Sequence, residues 1–247
     1  IKIGQLVFDV NGEYANANHQ DDGSSLAEVF GDDTVRYRAV DMPGTDFQDL
    51  RTNFYAECGE ALTLLCQLTQ DDPYRKQTDL ELFLESSLEE PDISDVSDHK
   101  RWRIRKAIFQ CILYQAGYPS PRDLRVTFPA NAAVLDLVEE LTHQTKPPAT
   151  PRGEITLTLS EAVEWFQSAR NANYQILKTQ RENNERPVGL PSSTAGRPWI
   201  DAIIESYLNV LARRNDNGTT IRGYRAIAAF EPYHSPKRRD DVIDEIL

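Results

Sequence analysis

The chain is 247 residues long, with 40% apolar and 27% charged residues. That composition excludes wholesale disorder, and the length suffices to bury a core without a disulfide or metal staple. Asp and Glu number 39 against 27 Lys and Arg, a net charge of −12. Such a chain repels phosphate backbones overall, so any contact with DNA needs a local basic patch.

No apolar run reaches the length of a membrane-spanning helix, about 18 residues, and no membrane contact is expected. The cysteines, Cys58, Cys66 and Cys111, form no CxxC and are odd in number. That argues against a disulfide framework and for a reducing, cytoplasmic setting. His19, His99, His143 and His234 share no metal-ligand spacing with them, so no metal site is expected. The only methionine is Met42 and the first residue is Ile1, from which a piece of a longer polypeptide is expected.

In chain order, residues 6–10 (LVFDV) read as a buried strand running into an Asn11-Gly12 turn. A short helix is predicted over 25–30 and a strand with one wet face over 34–40 (TVRYRAV), ended by Pro43-Gly44. Apolar residues at near-helical spacing predict a helix over 46–70 and another over 79–88. Ser97 or Asp98 is predicted to cap a helix reaching Ala116, stopped by Gly117. A helix over 130–143 leads into residues 146–153 (KPPATPRG), read as a linker from its three prolines and one glycine. A brief strand is predicted over 155–159, then a helix capped by Ser160 and running to about Asn183. Pro198 suits the first position of a helix over 199–214, broken at Asp216-Asn217-Gly218, and a last helix begins near Asp240. Trp102, Trp165 and Trp199 fall on apolar helix faces and are expected in the core.

Three stretches carry candidate chemistry. Asp9 and Glu13 flank Gly12 just after the first predicted strand, where open α/β sheets place their ligands. There Asp9 suits a magnesium-bound water, and Glu13 suits orienting or deprotonating a nucleophile. The competing reading is a turn built by Asp9 and Asn11, with Gly12 as its permissive backbone. Residues 99–106 (HKRWRIRK) hold Lys100, Arg101, Arg103, Arg105 and Lys106. On a helix, 100, 103 and 106 share one face and 101 and 105 another, a candidate contact for a phosphate backbone or an acidic partner. The alternative is a solvated face balanced by the acidic residues of 85–98. Lys237, Arg238 and Arg239 are candidates to touch nucleotide or DNA, with an arginine acting on a neighbouring subunit; the alternative is a solvated loop.

The run Phe8-Asp9-Val10-Asn11-Gly12-Glu13-Tyr14, followed by TVRYRAV at 34–40, resembles the HerA/FtsK-type P-loop ATPases, especially the bacterial HerA-like group. Residues 230–236 (FEPYHSP) with 241–246 (DVIDEI) resemble that family's segment just before the strand that resumes the core. The resemblance implies a mainly α chain: a helical insertion domain, residues 46–225, attached to one or two strands of a RecA-like α/β core supplied by 1–45 and 226–247. It makes Asp9 and Glu13 catalytic and Gly12 an edge of the nucleotide site.

The chain has no G-x-x-x-x-G-K-[ST] and no apolar strand ending in an Asp-Glu pair, so the resemblance places those parts before Ile1 and after Leu247. ATP and magnesium are then cofactors of the full-length protein, and none is expected for this chain by itself. The family forms hexameric rings coupling ATP hydrolysis to DNA translocation, with helicase-like activity and effector partners such as nucleases, and serves antiviral defence. The alternative is a non-catalytic helical module that docks an effector or mediates oligomer contacts.

Overall fold

The computed structural model describes residues 7, 25–39, 47–71, 78–92, 94–192, 197–212 and 227–237. The expected strand at 6–10, the break at 216–218 and the last helix lie outside the described residues. The chain divides into one unit of residues 1–51 with 239–247 and a second of residues 52–238.

In the first unit, Ser25 starts helix α1 (Leu26–Phe30). Its hydroxyl accepts from the Glu28 amide at 3.1 Å, and the Glu28 carboxylate accepts from the Ser25 amide at 2.9 Å. This reciprocal pair satisfies two backbone donors that a helix start otherwise leaves open. Of the strand expected over 34–40, Tyr37–Arg38 form β1, which pairs in parallel with β2 (Gln48–Asp49). Arg36 and Arg38, two apart and therefore on one strand face, lie over the Phe47 ring at 4.7 and 4.3 Å from its centroid.

The second unit holds helices α2 (Cys58–Leu68), α3 (Thr78–Glu85), α4 (Val96–Gln115), α5 (Ala132–Thr142), α6 (Leu159–Glu182) and α7 (Ala202–Ala212), with strands β3 (Arg125–Pro129) and β4 (Glu154–Thr158). The chain is mainly α, as its periodicity implies. The helix expected over 46–70 begins later, at Cys58. The Asn53 side chain accepts from the Tyr55 and Ala56 amides at 3.0 and 3.2 Å, a local turn that competes with the helix ladder.

Helix α4 is the spine. Residues 107–113 are all buried, so its second half is surrounded, with α7, β3 and α6 against it. Asp95, rather than Ser97 or Asp98, caps it, accepting from the Ser97 and Asp98 amides. Its stop is Gly117, just past the end of the helix, whose φ of +91° only glycine adopts freely. The Tyr118 amide reaches back to the Leu113 carbonyl and the Gly117 amide to that of Tyr114, both at 3.1 Å, a Schellman closure that turns Tyr118 into the core.

Strands β3 and β4 pair antiparallel, with Val126 opposite Leu157 and Phe128 opposite Ile155 on the buried face. Phe128 stacks on Phe166 at 4.4 Å, and Trp165 meets Trp199 edge-on at 5.7 Å. Trp102, Trp165 and Trp199 are all buried. A second aromatic group joins α3, α4 and α7: Phe83 packs on Phe109 and Tyr207, whose hydroxyl bonds Ser86 at 2.6 Å.

Helix α6 is capped by Thr158, not Ser160, with Glu161 closing a capping box. Asn131 and Asp201 cap α5 and α7 through the Val134 and Ile204 amides; Pro198 stands before that start, bridged to Pro191. Residues 146–153 turn α5 into β4 within this unit, with the Thr150 amide bonded to the Glu154 carbonyl at 2.8 Å. Among the described residues no helix is long and apolar enough to cross a membrane.

Gly189 has φ +69°, and a Cβ there would stand 2.2 Å from Asn173 Oδ1, the atom that accepts from the Leu190 amide at 2.8 Å. Gly189→Ala is therefore expected to cost about 2 kcal/mol in urea denaturation. Adding Asn173→Ala is expected to give less than the sum of the two single losses.

Candidate functional site

The two ends of the second unit meet at one joint. Thr52 bridges His234 in parallel, the Ser235 amide donates to the Thr52 carbonyl at 3.1 Å, and Asn53 Nδ2 donates to the Pro236 carbonyl at 3.0 Å. His234 is 1% exposed. Its Nδ1 accepts from the Phe54 amide at 3.1 Å, and its Nε2 meets the Pro119 carbonyl at 2.7 Å. The rings of Phe54, Tyr55 and Tyr118 surround it at 5.5 to 5.6 Å. Tyr55 and Tyr118 spend their hydroxyls on the carbonyls of Tyr118 and Ile227, at 2.9 and 2.5 Å. Burial pushes both phenols well above the ordinary tyrosine value, so they stay neutral donors. The segment 230–236 thus closes the base of the unit.

The basic residues of α4 do not form one face toward solvent. Arg101 pairs with Asp201 at the start of α7, and Arg103 with Glu154 at the start of β4. Lys106 lies over the Trp102 ring, 4.9 Å from its centroid. Lys100 is exposed, and Arg105 is half-buried, its Nε without a hydrogen-bond partner among the described residues. The Arg103 hydrogen bond, more than its charge, holds the Glu154 carboxyl below the ordinary range. Lys237 is exposed at the end of the joint. Asp9, Gly12, Glu13, Arg238 and Arg239 lie outside the described residues.

An open cleft of about 410 Å³ lies between the start of α2 and α4. Glu57, Glu60, Glu89 and Glu90 line it, with Trp102 and Lys106 on the α4 side. Trp102 donates to the Leu88 carbonyl at 2.9 Å, which ties the 88–90 segment to α4. Four carboxylates against one ammonium disfavour a phosphate-bearing ligand. Cys58 also borders the cleft, but burial pushes its thiol up to about 12, so at neutral pH it is no nucleophile. Among the described residues no three His, Cys, Asp or Glu side chains are arranged to hold a metal ion.

Sequence reasoning attached chemistry to the basic residues and overlooked their partners, Asp201 and Glu154. It also gave no role to Asn53, Tyr55 or Tyr118. Asn53 ahead of an apolar helix carries a turn signal in sequence; the two tyrosines carry none. Comparison with protein-family models, curated proteins and solved structures finds no match to this chain.

The Arg103–Glu154 pair is partly exposed, and its removal has a modest expected cost. Glu154→Gln is expected to lower stability by about 0.5 kcal/mol near neutral pH. The Glu154 carboxyl titrates below its ordinary value of 4.5 in the folded chain. Its contribution is therefore present above that value and lost as pH falls through the folded one. Denaturation midpoints of the two proteins are expected to converge in acid.

Proposed function

We propose that the chain is part of a HerA-like hexameric ATPase that couples ATP hydrolysis to DNA translocation in the cytoplasm. In this reading the helical insertion expected over 46–225 is set at the second unit, residues 52–238, which takes in 226–238 from the expected return segment, and the first unit belongs to a RecA-like core. What supports it is the joint. The first unit is assembled from two stretches of chain separated by the whole of the second, and the second unit's ends are bonded side by side at Thr52–Asn53 and His234–Pro236. A domain carried between two core strands needs this arrangement, since its host must see two neighbouring attachment points. The FDVNGEY run at 8–14 supplies the other support: Asp9 and Glu13 are the carboxylates a magnesium nucleotide site uses, with Gly12 at its edge. ATP and magnesium would be completed by a phosphate-binding loop supplied elsewhere in the polypeptide.

A second reading is a non-catalytic module in which residues 52–238 dock an effector protein, such as a nuclease, or fix ring contacts. The neutralised arginines of α4 favour it over direct DNA binding by that helix, because Arg101 and Arg103 are engaged inside the unit.

In the full-length protein Glu13→Gln is expected to lower ATP turnover by about a hundredfold with the thermal midpoint unchanged; equal turnover in variant and parent removes Glu13 from the mechanism. Calorimetric titration of residues 1–247 with magnesium-ATP is expected to show no saturable heat. Saturable micromolar binding would contradict a nucleotide site completed by other parts.

A further inference from the structure

Strand β3 is paired on one side only. Its register with β4 sets Pro129 opposite Glu154, and the Ala130 amide donates to the Gly153 carbonyl at 2.8 Å. Bonded and non-bonded pairs alternate along an antiparallel ladder. Phe128 and Val126 therefore bond β4, and the backbone groups of Arg125, Thr127 and Pro129 point away from it. The same alternation turns the Glu154 carbonyl outward on β4, where it accepts from the Thr150 amide at 2.8 Å. On the outer side of β3 the Pro129 carbonyl accepts from Trp199 Nε1 at 3.3 Å. At the other end Asp123, with φ +59°, turns the chain out of the strand. Between these ends the amides and carbonyls of Arg125 and Thr127 have no partner among the described residues, and both residues are exposed. Their side chains lean toward β4. Arg125 Nη2 donates to the Thr156 carbonyl at 3.5 Å, and the Thr127 and Thr156 hydroxyls bond at 2.9 Å. Neither covers the open edge.

We propose that this edge pairs with the same edge of a second copy of the chain, antiparallel about a two-fold axis at Val126, joining the two through a continuous four-stranded sheet. This contact goes beyond the proposed function and does not depend on it. With Val126 opposite its counterpart, Arg125 of each copy stands opposite Thr127 of the other. Each of these pairs exchanges two N–H···O bonds, and the axis generates the pair twice. Every open amide and carbonyl of both strands is then used.

The register follows from Pro129. Setting Thr127 opposite its own counterpart puts Arg125 across from Pro129, which has no N–H, so the Arg125 carbonyl stays unpaired. The Val126 register avoids this and also keeps the two Arg125 side chains diagonal rather than face to face, each beside the Glu161 carboxylate of its own chain. A strand from another protein also fits the edge, but it brings an outer edge of its own that is left open. The second copy leaves none. The open run is short, so the contact is small and the dimer weak.

The test is sedimentation velocity of the intact chain from low to high micromolar concentration, where a monomer–dimer equilibrium is expected. Thr127→Pro removes an N–H that points away from β4, so the β3–β4 ladder and the thermal midpoint are expected to survive. Each dimer then loses two hydrogen bonds, and self-association is expected to weaken by about thirtyfold. Thr127→Val keeps the N–H and is expected to associate like the parent. A parent that sediments as a monomer throughout, or a dimer that Thr127→Pro leaves intact, overturns the proposal. Hydrogen exchange of the parent, read by mass spectrometry, needs no variant. Slower exchange of a peptide covering 124–129 at high concentration supports the pairing, and exchange independent of concentration overturns it.

Discussion

His234 is bonded at both ring nitrogens to backbone groups far away in sequence, one at Phe54 and one at Pro119. The second unit depends on this ring, because it fastens three chain segments that share no strand or helix. Around it the cost of burial has been met group by group. Asn53 bonds backward to its own turn and outward to Pro236, Tyr55 bonds Tyr118, and Tyr118 bonds Ile227. Removing one partner strands another, so the joint is stiff through its satisfied polar network rather than through area alone.

The Tyr118 position traces to the end of α4. Gly117 takes a left-handed conformation that stops the helix, and the resulting turn drives the next side chain inward. Helix α4 serves two further ends of the fold with its charges. Arg101 meets the aspartate that also caps α7, and Arg103 meets the first residue of β4. In an acidic chain these arginines act as internal fasteners, which leaves Lys100 the exposed member of the run. A run of positive charge in sequence says nothing about how much of it faces solvent, because acidic partners arrive from 51 and 100 residues away.

Much of the helical architecture was legible from local signals. The Ser25 start, the Gly117 stop, the extent of α6 and the burial of all three tryptophans follow from spacing, caps and apolar faces. The errors have a common cause. Apolar spacing starts α2 too early because the Asn53 side chain diverts the backbone by accepting from the Tyr55 and Ala56 amides. Strand β3 went unassigned because five residues ending in proline become a strand only once β4 supplies the ladder. The proline-rich 146–153 reads as a linker by composition, yet its turn bonds set β4 beside β3 in one unit. For the candidate site, the sequence could name Asp9, Gly12, Glu13 and the basic residues as chemical types. It carried no sign of the Asn53–Tyr118–His234 network, in which the Phe54 amide and the His234 ring meet across 180 positions.

By itself, then, the sequence determined that the chain is mainly helical, where α4 stops and that the three tryptophans are buried, since these depend on short-range periodicity and backbone preference. Tertiary structure alone decided which charges are neutralised, which short runs are strands, and that the second unit closes on itself at His234. Those outcomes depend on desolvation and on hydrogen-bond partners that become neighbours only when distant segments are brought together, and no local pattern encodes that meeting.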